Sequence, residues 1–233
     1  MAADLGRIFV DVDVQFDFCE PNGALVVPGS PNEVFRRLVA HAVAHEIPIV
    51  GSVDSHAWDA WEFASNDRVG DDGHKPGFPD HCVKGTAGWL KVSGTLPPRF
   101  RFVPNVEPRS LDAARALVDE LAAGQTQGVY FEKEVYSLFA NPIAEWFLRA
   151  LGERARARGA PAEGPEYVVF GVATDYCVRA AALGLRQRGL RATLVRDAVA
   201  GITTEGAAAA LGAMEEAGVR FTTSTQLFSE VHR

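Results

Sequence analysis

Tyr167–Val172 reads YVVFGV, and through Ala173-Thr174 it runs into DYCVRAAALGLRQR, Asp175–Arg188. The first six residues are apolar or glycine throughout and rich in β-branched and aromatic types, the pattern of a strand buried on both faces. The following segment carries apolar residues at helical spacing, and Gly189 stands where a left-handed, helix-ending glycine belongs. A strand with no polar face needs a helical layer on each side, so this unit predicts a parallel sheet within an α/β fold.

Outward from this unit the same alternation continues. Arg7–Val14 (RIFVDVDV), Ile47–Asp54 (IPIVGSVD), Gly128–Lys133 (GVYFEK), Arg191–Arg196 and Arg220–Thr223 read as strands. Leu111–Ala123, Pro142–Arg158 and Thr204–Ala217 read as helices, the last followed by Gly218. Ser30-Pro31-Asn32-Glu33 has the pattern of a capping box with Ser30 as N-cap, and predicts a helix to about Glu46. The expected fold class is α/β, a doubly wound three-layer α/β/α arrangement around a six-stranded, mainly parallel sheet. The chain 1–233 reads as a single domain. A Gly-, Pro-, Asp- and Trp-rich excursion at about 55–127 carries one helix and otherwise reads as a loop that builds a site.

A chain of 233 residues can bury a core without disulfides or a structural metal. Its formal net charge of -7 and the absence of any Lys/Arg run disfavour nucleic acid and anionic membrane surfaces as partners. Met1–Asp4 offers no basic leader and no apolar stretch reaches membrane-spanning length, so a cytoplasmic location is expected. The three cysteines, Cys19, Cys82 and Cys177, form no CxxC pair and argue against a disulfide framework.

In an open parallel sheet, ligands bind beyond the carboxyl ends of the strands. Asp13 ends the first strand, Asp54 the second with His56 close behind, and Lys133 the third; the fourth runs into Cys177 at a helix start. Each residue alone has an ordinary reading: a packed thiol, a capping carboxylate, a solvated lysine. Together they can supply a nucleophile, a base and an electrostatic partner. A thiol in the first helical turn faces the positive dipole end, which favours thiolate, and the same turn supplies N–H groups for an oxyanion. Asp54 and His56, with Glu62, His74 and His81 in the excursion, form a second group whose donors suit Zn²⁺, Fe²⁺ or Mn²⁺. By spacing alone, solvated loop residues are the more ordinary reading of that group. His41 and His45 read as a helix face, and Cys19 and Cys82 as packing.

Several motifs occur in series. They are VDVQFDFC (Val12–Cys19), Asp54-Ser55-His56, PDHCVKGT (Pro79–Thr86), Lys133 with Ser137 and Phe139, GVATDYCV (Gly171–Val178) and DAVAG (Asp197–Gly201). The series resembles the isochorismatase-like cysteine hydrolases and, within them, the nicotinamidases. The resemblance implies that Asp13 takes the thiol proton, Cys177 attacks a carboxamide carbon and Lys133 holds Asp13 charged and oriented. It implies an oxyanion hole from the Ala173 and Cys177 N–H groups beside a cis Val172–Ala173 peptide. It also implies one divalent metal ion, zinc first and iron or manganese as alternatives, bound by Asp54, His56 and His81 and holding a pyridine nitrogen. Glu62 takes the fourth position, a histidine in many nicotinamidases, with Asp67 and His74 as competitors. Phe18 and Phe78 would flank the substrate ring, with Phe139 nearby.

Two departures stand out: the segment around 105–127 looks inserted, and Asn141-Pro142 differs from the usual nicotinamidase text. The implied activity is hydrolysis of nicotinamide, or a close small aromatic carboxamide, to the acid and ammonia through a Cys177 thioester. The partner is then a small-molecule amide, and a homo-oligomer is expected. Two rivals use the same residues: a metal-independent cysteine amidohydrolase of a ureido or other small amide, and a non-catalytic small-molecule-binding protein.

Overall fold

The computed structural model describes residues 2–66, 69, 77–106 and 110–230. Its strands are β1 (Arg7–Val12), β2 (Ile49–Asp54), β3 (Phe100–Val103), β4 (Gly128–Lys133), β5 (Glu166–Val172), β6 (Arg191–Ala200) and β7 (Arg220–Thr222). Its α-helices are α1 (Phe16–Cys19), α2 (Asn32–Ala44), α3 (Leu111–Ala122), α4 (Ala144–Ala157), α5 (Arg179–Gln187), α6 (Thr204–Glu216) and α7 (Ser224–Glu230). The strands form one sheet in the order β3-β4-β2-β1-β5-β6-β7. Every pairing in it is parallel.

Both faces of the sheet are covered, as the apolar strands require. Ile8, Val10 and Val12 of β1 turn into a core shared with Ala114, Val118 and Leu121 of α3 and Phe147, Leu148 and Leu151 of α4. Residues of α5 and α6, among them Leu185 and Met214, complete that layer. Phe9 turns the other way, into a core with Phe35, Leu38 and Val39 of α2 and Leu227 of α7. The result is the expected three-layer, doubly wound arrangement. Among the described residues no helix is long and apolar enough to cross a membrane.

The sheet has seven strands rather than the six expected. The additional strand, β3, is a four-residue edge with Phe100 and Arg101 exposed. It sits between Pro97-Pro98 and Pro104, and turn punctuation without a buried face conceals a short edge strand. Its presence recasts the 105–127 segment: α3 is the crossover helix that returns the chain from β3 to β4, packed against α4.

Two helix starts also differ from the sequence reading. Pro31 occupies the N-cap position of α2 and gives no side-chain cap. Ser30, one residue too early to cap, donates its hydroxyl to the Val27 carbonyl at 2.8 Å instead. The segment expected as one helix over Asp175–Arg188 opens with a π-helical turn, Thr174–Val178, before α5 begins. Tyr176 N–H and Val178 N–H both donate to the Ala173 carbonyl at 3.1 Å, skipping the intervening Cys177 N–H. Gly189 and Gly218 have φ of 71° and 78°, the left-handed stops read from the sequence.

Chain order reverses at β1, whose neighbours are β2 on one side and β5 on the other. The carboxyl ends of β1 and β5 therefore border the crevice where such sheets bind ligands.

Candidate active site

Asp13 is the first residue beyond β1 and is fully buried, with φ 48°. Its carboxylate accepts the Ser52 hydroxyl at 2.7 Å. Lys133 ends β4 in register with Asp54 of β2. Its ammonium lies 2.8 Å from Asp13 Oδ2, 2.9 Å from Asp54 Oδ1 and 3.6 Å from Cys177 Sγ. An ammonium has three protons; Asp54 Oδ1 and Cys177 Sγ accept two of them, and Asp13 Oδ2 lies at ion-pair distance. Burial disfavours the Lys133 cation, but the charges of Asp13 and Asp54 outweigh it and hold the amine well above its ordinary pKa.

Gly171 makes the approach of Cys177 possible. It has φ 125°, and a Cβ there would stand 2.0 Å from the Val12 carbonyl oxygen. Only glycine lets β5 cross β1 this closely, just before the cis Val172–Ala173 peptide and the turn bearing Cys177. Burial pushes the Cys177 thiol well above its ordinary pKa; Lys133 opposes this, while Asp13 and Asp54 add to it. The π turn Thr174–Val178 replaces the first α-helical turn at this position.

A second cluster adjoins the first through Asp54. His56 Nε2 is 3.4 Å from Asp54 Oδ2 and 3.0 Å from Glu62 Oε1. His81 Nε2 is 3.6 Å from Asp54 Oδ2 and 3.4 Å from Glu62 Oε1. One donor atom from each of the four residues lies within 4.8 Å of every other, and all four are buried. Donors arranged tetrahedrally at about 2.0–2.1 Å around Zn²⁺ are spaced about 3.3 Å apart, and the four His–carboxylate distances are close to that spacing. His81 Nδ1 is 2.8 Å from the Pro79 carbonyl, which accepts its proton and leaves Nε2 as the lone-pair nitrogen. His56 Nε2 is buried yet makes no well-formed hydrogen bond. Burial lowers the His56 pKa, but Asp54 and Glu62 more than reverse this and raise it to about 9, the mark of a strongly cation-attracting pair of carboxylates. His74 and Asp67, the alternatives to Glu62, lie outside the described residues.

Residues that the sequence reading did not single out hold these groups in place. The Gln15 amide donates to the Asp54 and Trp89 carbonyls at 2.8 and 2.9 Å and accepts Asp54 N–H at 2.7 Å. Asp17 accepts the N–H groups of Ala24 and Cys82 at 3.0 and 2.7 Å, which fixes the backbone beside His81. Asp175 receives Ile202 and Thr203 N–H groups at 3.0 and 3.1 Å and ties the nucleophile turn to the loop after β6. The fixed Q and D positions of the first motif were the available signal for Gln15 and Asp17. Gly88 faces Asp17 so closely that a Cβ would meet its carboxylate at 2.0 Å. Gly88→Ala should therefore displace Asp17, lower stability by about 1–3 kcal/mol and weaken metal retention. Urea unfolding and chelator competition measure the two effects.

The two clusters face one narrow cavity of about 30 Å³. Cys177, Ala173, Asp54, Glu62 and His81 form its polar end, and Phe18, Phe78, Leu25, Val27 and Ile202 its apolar walls. Tyr136 and Tyr176, absent from the sequence reading, close it. Phe139 does not line this cavity. Its ring lies in a neighbouring groove under the Arg188 guanidinium, 3.8 Å from the ring centroid, because the 3₁₀ turn Leu138–Ala140 aims it at Gly184.

A doubly wound parallel sheet with its reactive groups at the switch point defines the class: an α/β protein with a small buried ligand site. More narrowly, the isochorismatase domain model matches residues 7–226, and the chain belongs to that family. The chain is 28% identical to the nicotinamidase/pyrazinamidase of Mycobacterium tuberculosis (strain ATCC 25618 / H37Rv) over 94% of its own length and 100% of that protein. The zinc complex of Pyrococcus horikoshii pyrazinamidase superposes with a TM-score of 0.63 at 25% identity, covering 94% of this chain and 99% of that one. The nicotinate complex of PnC1 from L. infantum shares the fold with a TM-score of 0.68 at 20% identity, covering 97% and 96%.

Proposed function

We propose that the protein hydrolyses nicotinamide, or a closely related small aromatic carboxamide, to the acid and ammonia through a thioester on Cys177. The observation that carries this is the buried Lys133 ammonium, in reach of Asp13, Asp54 and the Cys177 sulfur at once. The related nicotinamidase/pyrazinamidase supports the choice of substrate class.

Asp13 accepts the thiol proton as Sγ bonds to the carbonyl carbon, so the raised thiol pKa is no obstacle: sulfur need not ionise in advance. The oxyanion is received by the Ala173 and Cys177 N–H groups. The carbon–nitrogen bond then breaks, Asp13 returns its proton to the departing nitrogen, and ammonia leaves a thioester. Water gives a proton to Asp13 and attacks the acyl carbon; the carbon–sulfur bond breaks and Sγ regains the proton. Lys133 keeps the carboxylate in place and charged between these transfers. Phe18 and Phe78 sandwich the flat ring. Asp54, His56, Glu62 and His81 would hold a divalent ion, zinc first with iron or manganese as alternatives, which when bound would supply a Lewis-acidic anchor for a ring nitrogen.

Incubation with nicotinamide should release ammonia and nicotinate in equal amounts, and mass spectrometry of a quenched reaction should find the acyl group on the Cys177 peptide. No ammonia from nicotinamide or pyrazinamide with metal-replete protein would refute this reading. His56→Ala should lose bound metal. Elemental analysis of dialysed protein should find about one ion per chain in the parent and well below that in the variant; equal content would remove His56 from the ligand set.

A further inference from the structure

Glu132 precedes Lys133 on β4, and side chains alternate along a strand, so its carboxylate leaves the sheet on the face opposite the Lys133 ammonium. That side chain is buried, 7% exposed. The Lys84 ammonium donates to its Oε2 at 2.7 Å and the Ser55 hydroxyl donates to the same atom at 3.3 Å. Ser55 in turn accepts the Trp89 indole N–H at 3.0 Å. Every proton in this chain of contacts points towards Glu132. Its two direct partners sit on the segments that carry the metal donors: Ser55 separates Asp54 from His56, and Lys84 follows closely after His81. Those segments are joined to each other, since His56 N–H donates to the Cys82 carbonyl at 3.1 Å and Lys84 N–H to the His56 carbonyl at 2.9 Å. Ser55 N–H donates to the Lys133 carbonyl at 2.8 Å and attaches the joined pair to β4 at one point. A single attachment leaves a hinge. The Glu132 carboxylate supplies a second one, and it reaches both segments.

We propose that Glu132 is a positioning residue: through Lys84 and Ser55 it fixes the Asp54/His56/Glu62/His81 cluster relative to Lys133 and Cys177. This rests on the metal-binding part of the reading above and adds to it the group that sets the spacing between the two clusters. A buried ion pair adds little net stability over an apolar pair of the same size; what charge-assisted hydrogen bonds add is fixed direction. One substrate must meet both clusters at once, so a cluster allowed to swing on its hinge loses ion affinity and reactive alignment together.

The test needs no turnover. Zinc affinity is measured by competition with a chromogenic chelator, and ligand geometry by the visible absorption of cobalt-substituted protein, in the parent, Glu132→Ala, Glu132→Gln and Ser55→Ala. Glu132→Ala should bind zinc about 10–100-fold more weakly and show displaced or weakened cobalt bands. Glu132→Gln keeps an oxygen acceptor for both donors and should recover most of the affinity. Ser55→Ala removes one donor and little volume, and should fall between the parent and Glu132→Ala. A merely structural Glu132 would lower the urea midpoint of Glu132→Ala while zinc affinity and cobalt bands stay at parent values, and that result overturns the proposal. Where Glu132→Ala does not fold, Ser55→Ala decides: parent affinity with parent bands overturns the proposal. If nicotinamide is not hydrolysed, the hydrolase reading fails while the zinc and cobalt measurements still decide the role of Glu132. A parent protein that binds neither ion overturns the proposal together with the metal site.

Discussion

Cys177→Ala should reduce ammonia release to the uncatalysed background, and Asp13→Asn should lower kcat by about 10²–10⁴-fold. The two losses have different causes, and pH separates them. Alanine removes the atom that bonds to carbon, so no condition restores turnover by this route. Asparagine keeps the shape and the contact with Ser52, which donates its hydroxyl to Asp13 Oδ1 at 2.7 Å, but it cannot take a proton. Sulfur must then ionise by itself, and burial holds its pKa well above the ordinary value, with Lys133 as the opposing influence. A raised thiol pKa means that the thiolate fraction at neutral pH is small and grows about tenfold per pH unit until the pKa is reached. The residual rate of Asp13→Asn should therefore climb with pH through at least pH 9, while Cys177→Ala stays flat. KM should move little in Asp13→Asn, because the aromatic walls and the Asp54/His56/Glu62/His81 cluster are untouched. The double variant should be no worse than Cys177→Ala alone, since the two groups act as a unit. Parent-like turnover in Asp13→Asn at pH 7 would eliminate Asp13 as the base.

The fold was legible wherever burial is written as an unbroken apolar run. Val168–Val172 is apolar or glycine throughout and Ile49–Val53 is broken only by Ser52, and both lie inside the sheet. The edge strand Phe100–Val103 has no such run, and only its pairing with β4 reveals it. Ser30 failed as a cap because a proline can occupy the cap position itself, which the motif alone does not show. In the site, Asp13, Lys133 and Cys177 were legible because each lies at a strand end, and register then brings them together. Ser52 was not, since a lone serine inside an apolar strand is also a neutral occupant. The thiol's raised pKa was illegible in principle: local sequence shows the helix start, whereas the desolvation comes from residues far along the chain.

Asp11 is the one residue of β1 that contradicts its own pattern, and it carries the largest expected effect on stability. The strand alternates into two apolar cores, yet Asp11 faces one of them fully buried. Its partner is Lys91, from the excursion, 2.7 Å away and with 1% of its side chain exposed. The Lys91 ammonium lies over the Tyr130 ring at 5.1 Å. Burial raises the Asp11 pKa above its ordinary value, and Lys91 only partly offsets this. A carboxyl whose folded pKa lies above its unfolded one binds protons more tightly in the native state. Its contribution to stability is therefore lost as pH rises from about 4 through the folded pKa. At neutral pH the ionised Asp11 carboxylate is thus less favourable in the fold than in the unfolded chain, although breaking the pair is worse. Asp11→Val leaves a buried ammonium unpaired and should cost about 3–5 kcal/mol. Lys91→Met should cost less, because the carboxyl can retain a proton. Asp11→Val with Lys91→Met should recover to within about 1 kcal/mol of the parent or exceed it by up to about 4 kcal/mol. Urea midpoints at pH 7 for all four proteins measure the coupling. If the double variant is as unstable as Asp11→Val, the pair is net stabilising and the account of its desolvation is wrong. The recovered variant should also keep its turnover, because Lys91 is held to the sheet independently of its charge: Leu90 and Val92 flank it with backbone hydrogen bonds to Phe16 and Val14 at 2.8 and 3.1 Å.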